Sequence, residues 1–449
     1  MTTSTFPAVQ WSRQQEPCEQ AALSTDTLRG GAYLAARYGL GVLVSLGNML
    51  VMTCWLGPHI YGLFVTAVSL VAFLATVSRV GVDTYLVRHK SPPDQAMYET
   101  ANAIILTASF ALAGIAALLT PVLVRWYGSR EFVAPYLILL VTIPVSGLTG
   151  VPMAKLEREL NFRRIAAIEL IGQSLGLVAA IALAWAKAGV WAPVAGQLVW
   201  QVFILVATAS TACVQLGMRF HPGQWQRMLS FGVAMTLSLR TWQLRTLVNP
   251  LLVGRFAGTE AVAFVALAIR IAESLGTFRL AAGRIAIAAL ARLQEQREKF
   301  RSALENALFL QIVTLGPLLS AFALAGPFLF RHAIGARWLP SLAVYPFVAA
   351  GVLVNSVYNL QASALFVLER QWVVMRCYAV HVVLLGAGTW FLLPHWGIAG
   401  YGWAELLACC AYYAIHRGMA GMVRVSWRKV VLPAAAFTAI LFLPRLMVK

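Results

Sequence analysis

Hydrophobic and polar positions alternate along this chain in long blocks. Apolar stretches of about 20 residues recur over almost the whole length, separated by short segments that contain charges, proline or glycine. A helix of about 20 residues is long enough to cross the hydrocarbon core of a bilayer. The pattern predicts thirteen spanning helices, at 31–54, 60–81, 101–124, 132–153, 165–186, 190–214, 230–252, 259–283, 304–328, 340–366, 372–393, 397–417 and 429–446.

Composition supports an all-α polytopic membrane protein. Of the 449 residues 60% are hydrophobic and 12% are charged, and the mean hydropathy is +0.74. A soluble domain of this size has no way to bury so much apolar surface. The predicted organisation is a cytoplasmic tail at 1–29 (no signal peptide), a six-helix half at 30–215, a cytoplasmic linker at 216–229, a second six-helix half at 230–418, and a loop plus an extra helix at 419–449.

The positive charges fall in alternate loops. One set of loops holds nineteen Lys and Arg residues, including Arg158 and Arg301, whereas the other set holds six, including Arg125 and Arg337. Loops rich in Lys and Arg remain in the cytoplasm, so the N-terminus is predicted to be cytoplasmic, Lys449 to lie outside, and the protein to reside in a bacterial inner membrane. This distribution explains the net charge of +18 without a nucleic-acid partner.

Other function classes lack their motifs. The six cysteines show no CxxC pairing and mostly lie in apolar runs, so neither disulfides nor a metal site is predicted. There is no GxxxxGK[ST] motif, and therefore no nucleotide-binding domain is expected. No catalytic constellation stands out, so we predict no enzyme activity and no cofactor.

The two halves share markers in the same order, which indicates an internal repeat. An even number of helices per half gives both halves the same orientation, related by a pseudo-twofold axis along the membrane normal, as in rocking transporters. The aligned pairs are "YGLFVTAVSLVAFLATVSRVG" (61–81) with "AVAFVALAIRIAESLGTFRLA" (261–281), "KLERELNFRR" (155–164) with "VLERQWVVMR" (367–376), and "GVWAPVAG" (189–196) with "GIAGYGWA" (397–404).

Ionisable residues inside the apolar runs are the candidate functional groups. A charge near mid-bilayer costs several kcal/mol and is expected to face a wet cavity or a partner. Cations outnumber anions, which favours an anionic passenger, and planar guanidinium groups suit phosphate. The candidates are Arg37, Arg240, Arg245 and Arg270 against Glu169, Glu273 and Glu405, together with His381.

Helical position separates these arginines. Arg240 and Arg270 lie near the middle of their predicted helices and are expected to face a cavity. Arg245 is about 140° from Arg240, at 100° per residue, and nearer the outer end, so it is expected to reach the headgroups. Arg270 and Glu273 share one face of their helix; a structural ion pair and a functional role for Glu273 both remain open.

Several of these stretches, taken together, resemble Wzx-type polysaccharide flippases. They are "YGLFVTAVSLVAFLATVSRVGVDTYLVRH", "PMAKLERELNFRR" and "GVWAPVAGQLVWQ", and the similarity covers about residues 30–420. These flippases belong to the multidrug/oligosaccharidyl-lipid/polysaccharide (MOP) superfamily, with a MATE-like fold of two six-helix bundles. The extra helix at 429–446 departs from the usual twelve or fourteen helices.

The resemblance implies transfer of undecaprenyl-diphosphate-linked oligosaccharide repeat units across the inner membrane, for O-antigen, capsule or exopolysaccharide. In that family, helices one, two, seven and eight line a cationic cavity. The implied partners are the lipid-linked oligosaccharide, membrane lipids, and polysaccharide polymerase and export machinery. The implied substrate-binding residues are Arg37, Arg240, Arg245 and Arg270, and the candidates for ion coupling are Glu273, Glu405 and Glu169.

Three alternatives remain open at this level. A lipid II flippase shares the cationic cavity. A MATE-type drug/cation antiporter of the same fold predicts a cavity dominated by carboxylates. A membrane-embedded glycan polymerase or ligase usually carries catalytic residues on a large outer loop, whereas the predicted outer loops are all short.

Overall fold

Helices make up the regular secondary structure of the computed structural model. It describes residues 41, 47, 49, 51–89, 91–213, 217–221, 223–277, 297–367, 370–420 and 428–447, and no strand occurs among them. Apart from Gly41, the described residues belong to one compact unit, Val44–Lys449.

The first half consists of helices whose ends follow local sequence signals. Asp94 caps α3 by accepting a hydrogen bond from the Met97 amide at 2.8 Å, and Pro121 begins a new helix after α3. Residues 51–55 are helical and precede α1. The helices are α1 Pro58–Ser78, α2 Val82–Arg88, α3 Gln95–Leu118, α4 Thr120–Tyr127, α5 Val133–Leu140, α6 Thr142–Arg158, α7 Phe162–Trp185 and α8 Trp191–Ala212.

The second half contains longer helices with irregular connections. They are α9 Gln224–Arg240, a 3₁₀ segment Thr241–Leu247, a π segment Asn249–Val253, α10 Gly254–Leu275, α11 Arg297–Leu329, α12 Ser341–Val367, α13 Gln371–Trp396, α14 Ile398–Ala408, a 3₁₀ segment Cys409–Tyr412, α15 Tyr413–Ala420 and α16 Arg428–Met447. A π segment Phe330–Ile334 and a 3₁₀ turn Ala336–Trp338 follow α11.

Most predicted spans are confirmed. Within the described residues, nine helical segments are long and apolar enough to cross a membrane, and α16 contains a shorter apolar helix. The chain is therefore a multi-pass membrane protein. Most of the predicted helix at 31–54, and residues 278–283 of the one at 259–283, lie outside the described residues. The boundaries predicted for the two halves stay a prediction.

The predicted helices 101–124 and 132–153 are each divided in two, at Leu119 and Val141. Two others, 230–252 and 397–417, are also wrong as continuous helices. The first ends at Arg240 and continues as 3₁₀ and π turns, and the second is interrupted at Cys409–Tyr412. In the first, Pro250 lacks an amide hydrogen and its ring disfavours a regular turn before it, which accounts for the π geometry at that point. Irregular backbone at membrane depth occurs where protein or a cavity surrounds it.

The buried cores of the two halves are largely separate. One cluster, around Phe132, Tyr136 and Ile143, lies in the first half. A larger cluster, which includes Trp338 and Tyr412, lies mostly in the second half. Large apolar side chains such as Leu118 and Phe391 are exposed on the outside, as expected for surfaces in contact with lipid.

The halves meet where the sequence repeat aligns. α1 and α10, which contain residues 61–78 and 261–275 of the aligned segments, pack against each other, and a Cβ at Gly62 would clash with the carbonyl oxygen of Thr259. A second close approach joins Gly81 and Gly232: a Cβ at Gly81 would lie 2.7 Å from the Gly232 carbonyl oxygen. Glycine is required at these positions because backbone lies against backbone.

The first of these contacts predicts that alanine substitutions at two glycines differ in their effect on the stability of the protein. Gly62→Ala places a methyl group against the backbone, which is unable to move aside by rotation as a side chain does. We therefore expect it to destabilise the protein by about 1–3 kcal/mol. Gly114→Ala is the matched control, because no atom lies within 4 Å of the place that its added methyl group would take and alanine favours a helix. Thermal unfolding in detergent measures both; equal midpoints for the two variants would contradict this packing.

Candidate functional site

A cavity of about 410 Å³ lies between the two halves. On each helix the lining residues recur at intervals of three or four, which shows that one face of each helix lines the cavity. The cavity also touches Met49 and Met52, before α1. Its other described lining residues are Tyr61, Phe64, Val65, Val68 and Ala72 of α1, Gln173, Gly176 and Ala180 of α7, Pro193, Gly196, Gln197 and Trp200 of α8, and Ala266 and Arg270 of α10.

Arg270 carries the only formal charge among the described lining residues. It is exposed, one helical turn from Ala266, whereas Leu267 and Ile271 on the other face of α10 are buried. The neighbouring Tyr61 supplies a hydroxyl group on the same side of the cavity. An arginine in a largely apolar cavity is suited to an anionic group, since its planar guanidinium forms paired hydrogen bonds with phosphate or carboxylate.

Arg245 lies elsewhere, in a buried ion pair. Its Nη2 atom donates to Oε1 of Glu405 at 3.1 Å, and the side chains are 12% and 5% exposed. The expectation that Arg245 reaches the headgroups is therefore wrong. Glu273, half-buried on α10, also acts electrostatically on Arg245. The 3₁₀ segment is the physical reason: it turns about 120° per residue, so the helical projection from Arg240 fails.

Aromatic rings surround this ion pair. The guanidinium of Arg245 lies 4.8 Å from the centre of the Trp242 ring. The centre of that ring lies 4.7 Å from the ring centre of Tyr378 and 5.0 Å from that of His381. The His381 Nδ1 atom lies 3.0 Å from the carbonyl oxygen of Ala408. The broken segment after α9 is thereby attached to α13 and α14, which gives Arg245 a positioning role within the second half.

The remaining predicted residues are distributed differently. Arg37 and the side chain of Arg240 lie outside the described residues; Arg240 itself is the last residue of α9. Glu169 is half-buried on α7, close enough to act electrostatically on Glu157 at the arginine-rich end. Glu169, Glu273 and Glu405 are absent from the described lining of the cavity.

Opposite the arginine-rich end, polar contacts join the two halves, which we call the gate contacts. The Nδ1 atom of His59 lies 3.3 Å from the Thr259 hydroxyl of the second half, and its Nε2 atom lies 2.7 Å from the Glu131 carboxylate within the first half. Arg337 donates to the Cys54 carbonyl oxygen at 2.6 Å, and Trp338 donates to that of Thr53 at 2.8 Å. These contacts lie at the end of the molecule opposite the arginine-rich one, and they include the buried indole of Trp338.

Sequence reasoning missed these gate contacts and the polar groups on α7 and α8. The gate residues lie at helix ends, as His59 and Thr259 do, or in short turns, as Arg337 does, and carry no periodicity. Gln173 and Gln197, by contrast, interrupt apolar helices, and an amide in such a helix is a usable signal of a cavity.

Two packed helical bundles with a cavity between them define a transporter architecture, and solved structures share it. The lipid II flippase MurJ in its inward closed conformation matches with a TM-score of 0.76 and 12% identity, over 93% of each chain. An inward-facing multidrug resistance MATE family transporter of the MOP superfamily matches with a TM-score of 0.65 and 15% identity, over 88% of this chain and 94% of that one.

A MOP superfamily transporter from Pyrococcus furiosus, described as having a binding pocket of reverse polarity, matches with a TM-score of 0.55 and 14% identity, over 91% of this chain and 96% of that one. At these identities the likeness shows the MATE-like fold. A search of curated proteins found no match to the sequence. A family model described as "Polysaccharide biosynthesis protein" matches residues 51–343, and the chain belongs to this family.

The buried ion pair predicts that removing one charge is worse than removing both. Glu405→Gln leaves the Arg245 guanidinium buried without its closest counter-charge, so we expect a loss of about 3–5 kcal/mol of unfolding free energy. The double variant Arg245→Met/Glu405→Met removes the uncompensated charge and is expected to recover most of that loss. Unfolding in detergent measures this cycle.

The more exposed pair Arg301–Glu305, 3.0 Å apart, provides the control. Arg301→Met is expected to cost less than about 1 kcal/mol, since exposed ion pairs contribute little. If the double variant at 245 and 405 loses as much stability as Glu405→Gln and Arg245→Met lose in sum, the two side chains do not act as a pair.

Proposed function

We propose that this protein is a flippase that moves undecaprenyl-diphosphate-linked oligosaccharide repeat units across the bacterial inner membrane, for O-antigen, capsule or exopolysaccharide synthesis. The diphosphate and its sugars enter the cavity while the prenyl chain stays in lipid. Polymerase and export proteins then act on the delivered units.

The observation that carries this proposal is the position of Arg270. It supplies a positive charge in a membrane-embedded cavity between two halves that belong to a polysaccharide biosynthesis family. Low dielectric surroundings strengthen the attraction between a guanidinium and a phosphate relative to water. A diphosphate offers several acceptor oxygens to one guanidinium, so Arg270 is suited to hold the anionic part of the substrate.

Alternating access is the mechanism that the contacts between the halves support. In this cycle, the gate contacts hold the halves together at one end. Because they are mostly single hydrogen bonds, each contributes only about 0.5–1.5 kcal/mol, and breaking them is compatible with rocking of the halves. The positive-inside rule places the arginine-rich end in the cytoplasm, so outward opening breaks the gate contacts.

Ion coupling is part of the same proposal. Glu405 and Glu273 both act on Arg245, which lies in the irregular segment between α9 and α10. Binding of a proton or sodium ion at either carboxylate weakens its attraction to Arg245, and this changes the position of the segment relative to α14. Glu169, on α7, is the third candidate for coupling.

The alternatives differ in what the cavity holds. A drug/cation antiporter needs a carboxylate there, and the described lining contains none. A lipid II flippase shares the diphosphate chemistry, and the MurJ structure shares the fold. Substrate accumulation in cells distinguishes the two flippases, since each leaves a different lipid-linked glycan behind.

Deletion of the gene in its own bacterium tests the proposal. We expect undecaprenyl-diphosphate oligosaccharides to accumulate on the cytoplasmic leaflet and surface polysaccharide to disappear. Complementation with Arg270→Ala is expected to restore less than about a tenth of wild-type export, because hydrogen bonds to charged groups are worth about 1.5–3 kcal/mol. Arg331→Ala is the matched control, since Arg331 is an exposed arginine outside this cavity, and it is expected to restore export fully.

Other outcomes identify the error. Accumulation of lipid II with unchanged surface polysaccharide supports the lipid II flippase instead. Increased sensitivity to cationic drugs with no change in glycans supports the antiporter. Full export by Arg270→Ala at normal protein levels removes the role assigned to Arg270.

A further inference from the structure

The wall of the cavity formed by α7 and α8 differs in chemistry from the wall that carries Arg270. It presents two amides, Gln173 and Gln197, and the indole of Trp200. The described residues of this wall carry no formal charge. The cavity therefore has a cationic side and a neutral side that is able to form hydrogen bonds.

Two polar atoms of the neutral wall have no hydrogen-bond partner. They are Oε1 of Gln173 and Nε1 of Trp200, and both are buried. A buried polar atom without a partner costs about 1–3 kcal/mol, and most such atoms in folded proteins are paired. One acceptor and one donor at the edge of a cavity are complementary to a hydroxyl group, which both accepts and donates.

The backbone behind this wall is held closely. α7 and α8 cross at Gly176 and Gly196: a Cβ at Gly176 would lie 2.7 Å from the Gly196 carbonyl oxygen, and the reverse distance would be 2.6 Å. The Trp200 ring packs over Gly172, whose Cβ would lie 3.0 Å from Cδ1 of that ring. A fixed wall lowers the ordering cost of binding, as expected for a recognition surface.

We propose that Gln173, Gln197 and Trp200 form a subsite for the sugar attached to the diphosphate, and that this sugar is an uncharged pyranose such as a hexose or N-acetylhexosamine. The inference rests on the proposed function. Amides bind sugar hydroxyls, and an indole offers both an apolar face and a donor. An acidic sugar has no cation to meet on this wall within the described residues.

The size of the cavity fits this division. At about 410 Å³ it lies toward the lower end of ligand sites in proteins, which span about 300–1,000 Å³. A diphosphate at Arg270 therefore places its first sugar against α7 and α8. The sugars further along the repeat unit are then read less strictly than the first.

Binding to the purified full-length protein in lipid nanodiscs tests the subsite. The probes are bare undecaprenyl diphosphate and the same lipid carrying N-acetylglucosamine or glucuronic acid. We expect the wild type to bind the N-acetylglucosamine lipid more tightly than the bare lipid. Gln173→Leu and Gln197→Leu are each expected to reduce this preference about fivefold, the loss of roughly one hydrogen bond, and to leave the affinity for the bare lipid unchanged.

Matched variants separate recognition from packing. Gln224→Leu removes an amide on α9 that likewise has a buried, unpartnered Oε1 atom but lies outside the cavity lining, and it is expected to keep the full preference. Trp200→Phe removes the indole donor and keeps an aromatic ring over Gly172; it is expected to lower the preference, whereas Trp191→Phe is not.

The bare lipid reports the integrity of the cavity in every variant. If a leucine variant loses the bare lipid as well, the uncharged and unbranched Gln173→Met or Gln197→Met replaces it in the comparison. An unchanged preference in both glutamine variants overturns the subsite and leaves the flippase proposal standing. Failure of the wild type to bind any of the three diphosphates overturns the proposed function itself, and equal affinity for the glucuronic acid lipid overturns the assignment to an uncharged sugar.

Discussion

The cost of placing a charge in hydrocarbon is the constraint on which this structure depends. Arg245 and Arg270 lie on adjacent parts of the second half, and each meets that cost differently. Arg245 is buried and paired with Glu405 at 3.1 Å, whereas Arg270 lines a cavity of about 410 Å³. A buried pair serves to hold the irregular segment after α9 in place. An arginine that lines a cavity lies where an anion is able to reach it, and on this ground Arg270 is the proposed substrate contact.

Much of the fold follows from the sequence because hydropathy determines which segments cross a membrane. Eight of the nine described spans match single predicted helices, the ninth, Thr241–Leu275, joins parts of two, and the aligned repeat segments pack together in α1 and α10. The direction in which Arg245 points could not be predicted from the sequence, because a 3₁₀ segment changes the angle per residue and its partner Glu405 lies 160 residues away. The direction of Arg270 can be predicted, since α10 stays regular between Gly258 and Leu275. The polar wall of α7 and α8 is marked in the sequence by Gln173 and Gln197, but uncharged amides stand out less than charged residues do.

The contacts between the halves relate the site to a transport cycle. Glycines at Gly62 and Gly81 bring backbones together at the two ends of α1, and the gate contacts around His59 add hydrogen bonds on one side. Single hydrogen bonds such as that between His59 and Thr259 exchange readily with water. In the proposed cycle one end of the cavity opens at a time, with Arg270 and the α7–α8 wall on either side of the substrate.

The central claim is that Arg270 holds the anionic head of a lipid-linked sugar during its passage between leaflets. A leaflet assay in proteoliposomes tests it most directly: a labelled undecaprenyl-diphosphate sugar is placed in one leaflet, and its accessibility to a reagent on the other side is followed over time. We predict transfer by the wild type and by Arg331→Ala, and a rate at least about tenfold lower for Arg270→Ala, as expected for loss of a charged hydrogen bond. Transfer by Arg270→Ala at the wild-type rate would contradict the account.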